Sequence, residues 1–134
     1  MVGNAVCSRS RYSALCETAI FGRACRHEFP KRFINVKQGE RLAYPVWILN
    51  NLLDEISSQS LNVCILYDVA CLFETHLQAQ GQHHILQSVK LAIPIFHSYG
   101  HKANCQIKYS PRRVSDSGFG LTDGEVLKRL WSYL

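Results

Sequence analysis

The sequence predicts a single α/β domain, with a mixed sheet flanked by helices, from three observations. Short apolar runs that suit buried strands alternate along the chain with stretches of helical periodicity. Helices that connect successive strands imply at least partly parallel pairing between those strands. The 134 residues, 47% of them hydrophobic, suit one domain with a modest core and exclude two full domains.

The first predicted strand covers residues 17–25, where β-forming residues mix with small ones. The basic segment 27–39 contains Pro30 and is interpreted as a loop. Five apolar residues then recur at steps of four and three, namely Leu42, Val46, Leu49, Leu53 and Ile56. This spacing predicts a helix with one apolar face. Pro45 belongs in its first turn, where a missing N–H does the least harm.

The middle of the chain predicts a strand followed by a helix. Residues 61–67 form a short continuous apolar run, which is typical of a strand covered on both faces. A second helix is predicted over residues 69–80, and Gly81 ends its pattern. The segment 82–90 is interpreted as either a further helical turn or a loop.

The last third of the chain predicts one more strand and two helices. The strand is expected at residues 91–96, where Pro94 requires an edge position or an early end. A short helix is predicted within 99–109, and the composition of 110–120 is that of a loop. Four apolar residues then predict a final amphipathic helix: Leu127, Leu130, Trp131 and Leu134.

Charge and cysteine content limit the class of protein. The formal net charge of +5 favours an anionic partner, with nucleic acid as the first candidate and a merely solvated surface as the alternative. The start of the chain lacks the apolar region of a signal peptide, and no run approaches the ~20 apolar residues of a membrane helix. We therefore expect an intracellular protein without a membrane partner, whose six cysteines are thiols.

Asp68 follows the apolar run of the central strand, in the stretch VCILYDVAC. Ligands of open α/β sheets gather at the carboxyl ends of strands, and carboxylate oxygens suit Mg²⁺. The alternative is an N-cap for the helix that starts at Val69, since Asp is among the favoured capping residues. The residues leave both interpretations open.

Glu125 is the second candidate carboxylate, in the first turn of the final helix. Its competing interpretation is a capping box, because Thr122-Asp123-Gly124-Glu125 fits the T-x-x-E pattern. Asp123 is a further candidate cation ligand, but an acidic residue also suits a helix N-terminus.

A candidate zinc site comes from three residues that repeat at every fourth position: His97, His101 and Cys105. A continuous helix would place them on one face, as zinc ligands on a helix are. Three residues elsewhere are candidates for a fourth ligand: Cys71, Cys25 and His27. The alternative is a set of buried or hydrogen-bonded side chains, because Gly100 interrupts the run.

Two basic stretches are candidate nucleic-acid contacts. The first comprises Lys102, Lys108, Arg112 and Arg113. Tyr99 and Tyr109 lie nearby, which suits phosphate contact with some aromatic stacking. The second comprises Arg23, Arg26, Lys31, Arg32 and Lys37. A solvated loop would account for the same residues.

Five segments, taken together and in order, resemble one known family. They are ETAIFGRACRHEFP at 17–30, QGERLAYPVWIL at 38–49, YDVAC at 67–71, IPIFHSYGHKANCQ at 93–106 and GFGLTDGEVLKRLWSYL at 118–134. The ordered set resembles the Kyakuja-Dileera-Zisupton (KDZ) transposases, which are encoded by eukaryotic DNA transposons.

The resemblance implies a ribonuclease H-like, or retroviral integrase-like, core over residues 1–134, with 1–16 irregular. In that core three acidic residues bind two metal ions, Mg²⁺ or Mn²⁺, and cut and join DNA strands. Asp68 matches the second catalytic Asp of the family, and Glu125 matches the Glu of its DGE motif. The resemblance also implies DNA as the partner, a nuclear location, and association with an intact transposase or with a second copy.

Departures from the family pattern predict an incomplete core. The strand that carries the first catalytic Asp is expected upstream of residue 17, yet the first Asp is Asp54, and neither Glu17 nor Glu28 lies on the corresponding strand. Lys128 stands where the family usually has Glu. We therefore expect a fragment, with its first strands missing, that is related to a metal-dependent DNA transposase and inactive alone. The alternative is a non-catalytic module that binds nucleic acid or associates with a transposase, stabilised by zinc.

Overall fold

Short strands and helices alternate through residues 19–37, 41–113 and 118–133, which are the residues that this computed structural model describes. The mixed α/β class that the sequence predicts is confirmed. The strands are β1 (Ala19–Ala24), β2 (Pro30–Val36), β3 (Val63–Leu66) and β4 (Val89–Ala92). The helices are α1 (Ala43–Glu55), α2 (Ala70–Ala79), α3 (His83–Ser88), α4 (Ile95–Ser98), α5 (Ala103–Lys108) and α6 (Val126–Trp131).

Strands β1 and β2 form an antiparallel hairpin. The loop predicted over 27–39 is therefore wrong for residues 30–36. Side chains of β2 alternate, so that Arg32, Ile34 and Val36 face the protein while their neighbours are exposed. This period of two is a strand signal that the basic residues and Pro30 concealed. Pro30 is tolerated because it begins the strand.

Helix α1 confirms the helical periodicity of residues 42–56. Pro45 lies in its first turn, as expected, and is buried together with Ile48 and Leu49. Its last turn contacts the hairpin, because Glu55 forms ion pairs of 2.8 Å with both Arg23 and Arg32. The helix thus connects the hairpin to the rest of the core.

Strands β3 and β4 pair in parallel, with Val63 opposite Val89 and Leu66 opposite Ala92. Helices α2 and α3 make the crossover, which confirms the predicted parallel pairing. The last predicted strand lies earlier than expected and ends before Pro94, which has no N–H for the ladder. β3 is half-buried rather than covered on both faces.

The four strands form two small sheets rather than one mixed sheet within the described residues. Side chains connect the two sheets where no backbone pairing does. The rings of Phe21 and Tyr67 meet edge to face with centroids 6.2 Å apart. Phe33 of β2 contacts Trp131 of α6, with centroids 5.7 Å apart. The hairpin therefore contacts both the residue that follows β3 and the final helix.

The core lies between α1, α2, α3 and the parallel sheet. Its main cluster of buried side chains comprises Leu49, Phe73, Leu77, Ile85 and Val89. A second cluster joins Ala70, Ile93 and Tyr109. None of the helices in the described ranges is long and apolar enough to cross a membrane. The core fixes the carboxyl end of β3 and the start of α2.

Candidate functional site

Asp68 lies in the turn between β3 and α2. The helix does not use it as a cap, because its N-cap is Val69 and no side chain bonds to the first turn. The amide of Ala70 instead donates to the backbone oxygen of Tyr67, at 3.1 Å. The Asp68 side chain is 53% exposed. The capping interpretation therefore does not account for this carboxylate.

Glu125 lies immediately before α6, which begins at Val126. The predicted capping box is not formed, because the helix has Glu125 itself as N-cap and no side-chain cap. The turn is held differently, by the Glu125 amide donating to Asp123 Oδ1 at 2.9 Å. Hydrogen bonds from Arg129 and from that amide lower the pKa of Asp123 and keep it anionic. The Glu125 side chain therefore takes no part in capping, and it is only 15% exposed.

His97 of α4 lies between these two carboxylates. Its Nδ1 is 3.4 Å from Asp68 Oδ2, and its Nε2 is 3.4 Å from Glu125 Oε1. The carboxyl end of β3, α4 and the start of α6 therefore converge on one imidazole. We call the set Asp68, His97, Glu125 and Lys128 the carboxylate rim.

Lys128 contacts the same histidine. Lys128 Nζ lies 2.6 Å from His97 Nε2, and an ammonium group can only donate. In a neutral His97 that accepts this bond at Nε2, the proton lies on Nδ1, which faces Asp68. Nε2 then has no hydrogen to donate to Glu125, although the two atoms are close.

One oxygen of Glu125 consequently has no hydrogen-bond partner. Oε1 is buried without a hydrogen-bond donor, whereas Oε2 forms an ion pair with Lys128 Nζ at 2.8 Å. A buried carboxylate oxygen without a donor is an expected position for a cation. Asp68 and Glu125 lie beside different nitrogens of His97, and among the described residues these three do not bring one ligand atom each within 4.8 Å of one another.

A two-ion site needs more acidic groups than the rim contains. Within the residues that the structure describes, no three carboxylates come within 4.8 Å of one another. Other acidic side chains are already paired, as Glu74 is with Lys108 and Glu28 with Arg129. The rim therefore does not contain the acidic ligands of a complete two-ion site.

A second cluster joins Cys71, His101 and Cys105. Their ligand atoms all lie within 4.8 Å of one another, and Cys71 Sγ is 3.6 Å from His101 Nδ1. Burial, and then the adjacent Cys105, raise the pKa of the Cys71 thiol above its usual value. All four described cysteines are free thiols: Cys25, Cys64, Cys71 and Cys105. The cluster is a possible metal-binding group.

This cluster differs from the zinc set of the sequence analysis in one member. The run 97–105 does not form one helix, because α4 ends at Ser98 and α5 begins at Ala103. His97 therefore belongs to the carboxylate rim, and Cys71 of α2 takes its place beside His101. Gly100 was the signal in the sequence for this break, but only the fold shows where each ligand goes.

The candidate DNA-contacting residues separate into two kinds. Lys102, Arg112 and Arg113 are exposed. Lys108 is exposed as well, but its Nζ lies 2.7 Å from Glu74 Oε2, and its hydrogen bonds with Glu74 and then Tyr109 raise its pKa. Three of the four predicted cations are therefore available to an anionic partner.

Comparison with known proteins gives one match. The family model of the Kyakuja-Dileera-Zisupton transposase matches residues 4–134 of the chain. Neither the curated proteins nor the solved structures gave a match.

Proposed function

Because this chain belongs to the Kyakuja-Dileera-Zisupton transposase family, we propose that the carboxylate rim derives from a site for metal-dependent DNA cleavage and strand transfer. The observation that carries this proposal is the convergence of Asp68 and Glu125 on His97. A carboxylate after a parallel strand and another beside a late helix also support a ribonuclease H-like core. The domain would extend over residues 1–134.

The residues of the rim would have separate roles. Asp68 and the free Oε1 of Glu125 would hold Mg²⁺ or Mn²⁺, and the cation, when bound, would polarise a DNA phosphate and its attacking hydroxyl or water. His97 would orient Asp68 through Nδ1, which lies 3.4 Å from Asp68 Oδ2. Lys128 neutralises Glu125 and places a positive charge where the cation would otherwise lie.

We propose that the described residues do not cleave DNA alone. Catalysis with two ions needs a third carboxylate, which the described part of the chain does not bring to the rim. The partners would be DNA and an intact transposase or a second copy, and the location would be the nucleus, where such an enzyme meets its DNA.

The test combines Mn²⁺ binding with nicking of supercoiled plasmid DNA. We expect the full chain to bind Mn²⁺ weakly, and both Asp68→Asn and Glu125→Gln to reduce that binding at least about fivefold. We expect the plasmid to be nicked no faster by the chain than by Asp68→Asn. Unchanged Mn²⁺ binding in both variants would refute the site, whereas nicking that depends on Asp68 would refute the inactivity.

A second candidate function is a non-catalytic DNA-binding module. Exposed Lys102, Arg112 and Arg113 together with the net charge of +5 favour it. In this case Asp68→Asn would still bind duplex DNA. In Arg112→Ala/Arg113→Ala the binding would be weaker, and the slope of log K against log salt concentration would be smaller in magnitude by about two. Lys108→Ala is the matched control, since Lys108 is already paired with Glu74.

A further inference from the structure

The cluster of Cys71, His101 and Cys105 is separate from the carboxylate rim and has different ligand types. We propose that Cys71, His101 and Cys105 bind one Zn²⁺ ion, which fastens the start of α2 to the turn between α4 and α5. Two thiolates and one imidazole form a ligand set that zinc prefers over magnesium or calcium.

The separation of Cys71 Sγ and His101 Nδ1 matches that of two ligands in a tetrahedral zinc site. Bonds of about 2.3 Å to sulfur and about 2.0–2.1 Å to nitrogen, at tetrahedral angles, separate the two ligand atoms by about 3.6 Å. Cys71 Sγ and His101 Nδ1 are 3.6 Å apart. All three ligand atoms lie within 4.8 Å of one another, so the ion would need little rearrangement. Binding releases the two thiol protons to solvent.

The three ligands come from separate elements that the core already holds. Cys71 is in the first turn of α2, and Cys105 is in the first turn of α5. Both thiols pack against the buried cluster of Ala70, Ile93 and Tyr109. His101 lies in the short turn before α5, where its Nδ1 is 3.6 Å from Cys71 Sγ and its backbone oxygen accepts from Gln106 Nε2 at 2.7 Å. The site is thus largely preformed.

Zinc at this position would also stabilise the geometry of the carboxylate rim. Asp68 lies one turn before Cys71, and His97 lies just before His101. Helices α4 and α5 are too short to be stable by themselves. A metal that holds both segments would keep His97 beside Asp68, so the ion would act structurally and not in catalysis. The three protein ligands leave one coordination position for water or a further donor.

The test uses the full chain, produced with zinc in the medium and analysed for metal after gel filtration. We expect about one zinc per chain in the wild type and less than about a tenth in Cys71→Ser/Cys105→Ser. The matched control is Cys25→Ser/Cys64→Ser, which removes the same number of thiols and should retain the ion. Wild-type protein without zinc, or equal retention in both double variants, would overturn the proposal.

A cobalt spectrum keeps the test decisive if the first double variant does not fold. Co²⁺ added to the metal-free wild type should give the intense thiolate-to-cobalt absorption of a tetrahedral site with two cysteines, and the Cys25→Ser/Cys64→Ser protein should give the same. A spectrum of octahedral, water-bound cobalt would refute the site.

Hydrogen exchange tests the structural role of the ion. Removal of the metal should accelerate amide hydrogen exchange at least about tenfold in residues 97–106 but not in the β1–β2 hairpin. Unchanged exchange in residues 97–106 would refute the structural role.

Discussion

Lys128 Nζ lies 2.8 Å from Glu125 Oε2 and so places its positive charge on the more buried carboxylate of the rim. The pair is one turn apart on the final helix. Lys128 is 58% exposed, so the cation is held by Glu125 and His97 rather than by burial. A divalent ion entering the rim must therefore compete with an ammonium group.

Replacement of Lys128 by alanine should increase the affinity of the rim for Mn²⁺. Loss of a like charge beside the ion favours binding by roughly tenfold after allowance for solvent screening. Titration with Mn²⁺, followed by electron paramagnetic resonance, measures the change. Lys31→Ala removes an exposed lysine from the hairpin and is the control. An equal affinity for wild type and Lys128→Ala would show that Lys128 does not obstruct the site.

Gly124 should be intolerant of a side chain. Its φ is +77°, and an added Cβ would lie 2.9 Å from Pro94 Cβ and 3.2 Å from Leu66 Cδ1. We expect Gly124→Ala to lower the free energy of unfolding by about 2–4 kcal/mol, measured in urea. Gly120→Ala is a matched control, because φ is +61° and nothing lies within 4 Å of the added Cβ. Gly120→Ala should lower the free energy of unfolding by only about 1 kcal/mol. Similar losses in the two variants would contradict the crowding of Gly124 against Pro94.

Phe73 should be the most costly aromatic residue to truncate. It is fully buried in the main core cluster and meets Tyr67 edge to face at 5.5 Å. Phe73→Ala should lower the free energy of unfolding by about 3–5 kcal/mol. Phe96, which is 67% exposed, provides the comparison, and its truncation should change stability by less than about 0.5 kcal/mol. A small effect at Phe73 would contradict the packing of α2 against the sheet.

Tyr109 should make the protein sensitive to alkaline pH. Burial and a hydrogen bond donated to Glu74 raise the pKa of Tyr109 to about 12. The unfolded phenol titrates near pH 10, so the unfolded state loses its proton first. This contribution to stability is complete below about pH 10 and is lost as the pH rises towards about 12. Urea unfolding at about pH 9 and about pH 11 should show a larger loss for wild type than for Tyr109→Phe; parallel losses would exclude Tyr109 as the cause.

The sequence predicts those elements of the fold whose burial follows a local period. Helix α1 is an example, since its apolar steps of four and three place Leu49 in the core, with Val46 and Leu53 packed against it. The hairpin was missed because Arg32 occupies an inward position of β2. Arg32 pairs there with Glu55 of α1 and lies over the ring of Trp47, and neither partner is visible in a local pattern.

The candidate site, too, depends on contacts that a local sequence pattern does not reveal. Asp68 and Glu125 were recognisable as candidates, but their capping alternatives could be weighed only once the starts of α2 and α6 were known. The spacing of His97, His101 and Cys105 predicts one face of a helix that the chain does not form. Because the break at Gly100 turns His97 away from His101, tertiary contacts decide which ligands meet.

The contacts between the hairpin and α6 have a consequence for the order of folding. Arg129 bonds to Glu28 at a separation of 101 residues along the chain, and Trp131 reaches back to Phe33. Closing so long a loop is slow compared with forming a hairpin or a helical turn. The segment that positions Glu125 would then be the last to dock. A partly folded molecule would contain most of its secondary structure while its two rim carboxylates were still far apart.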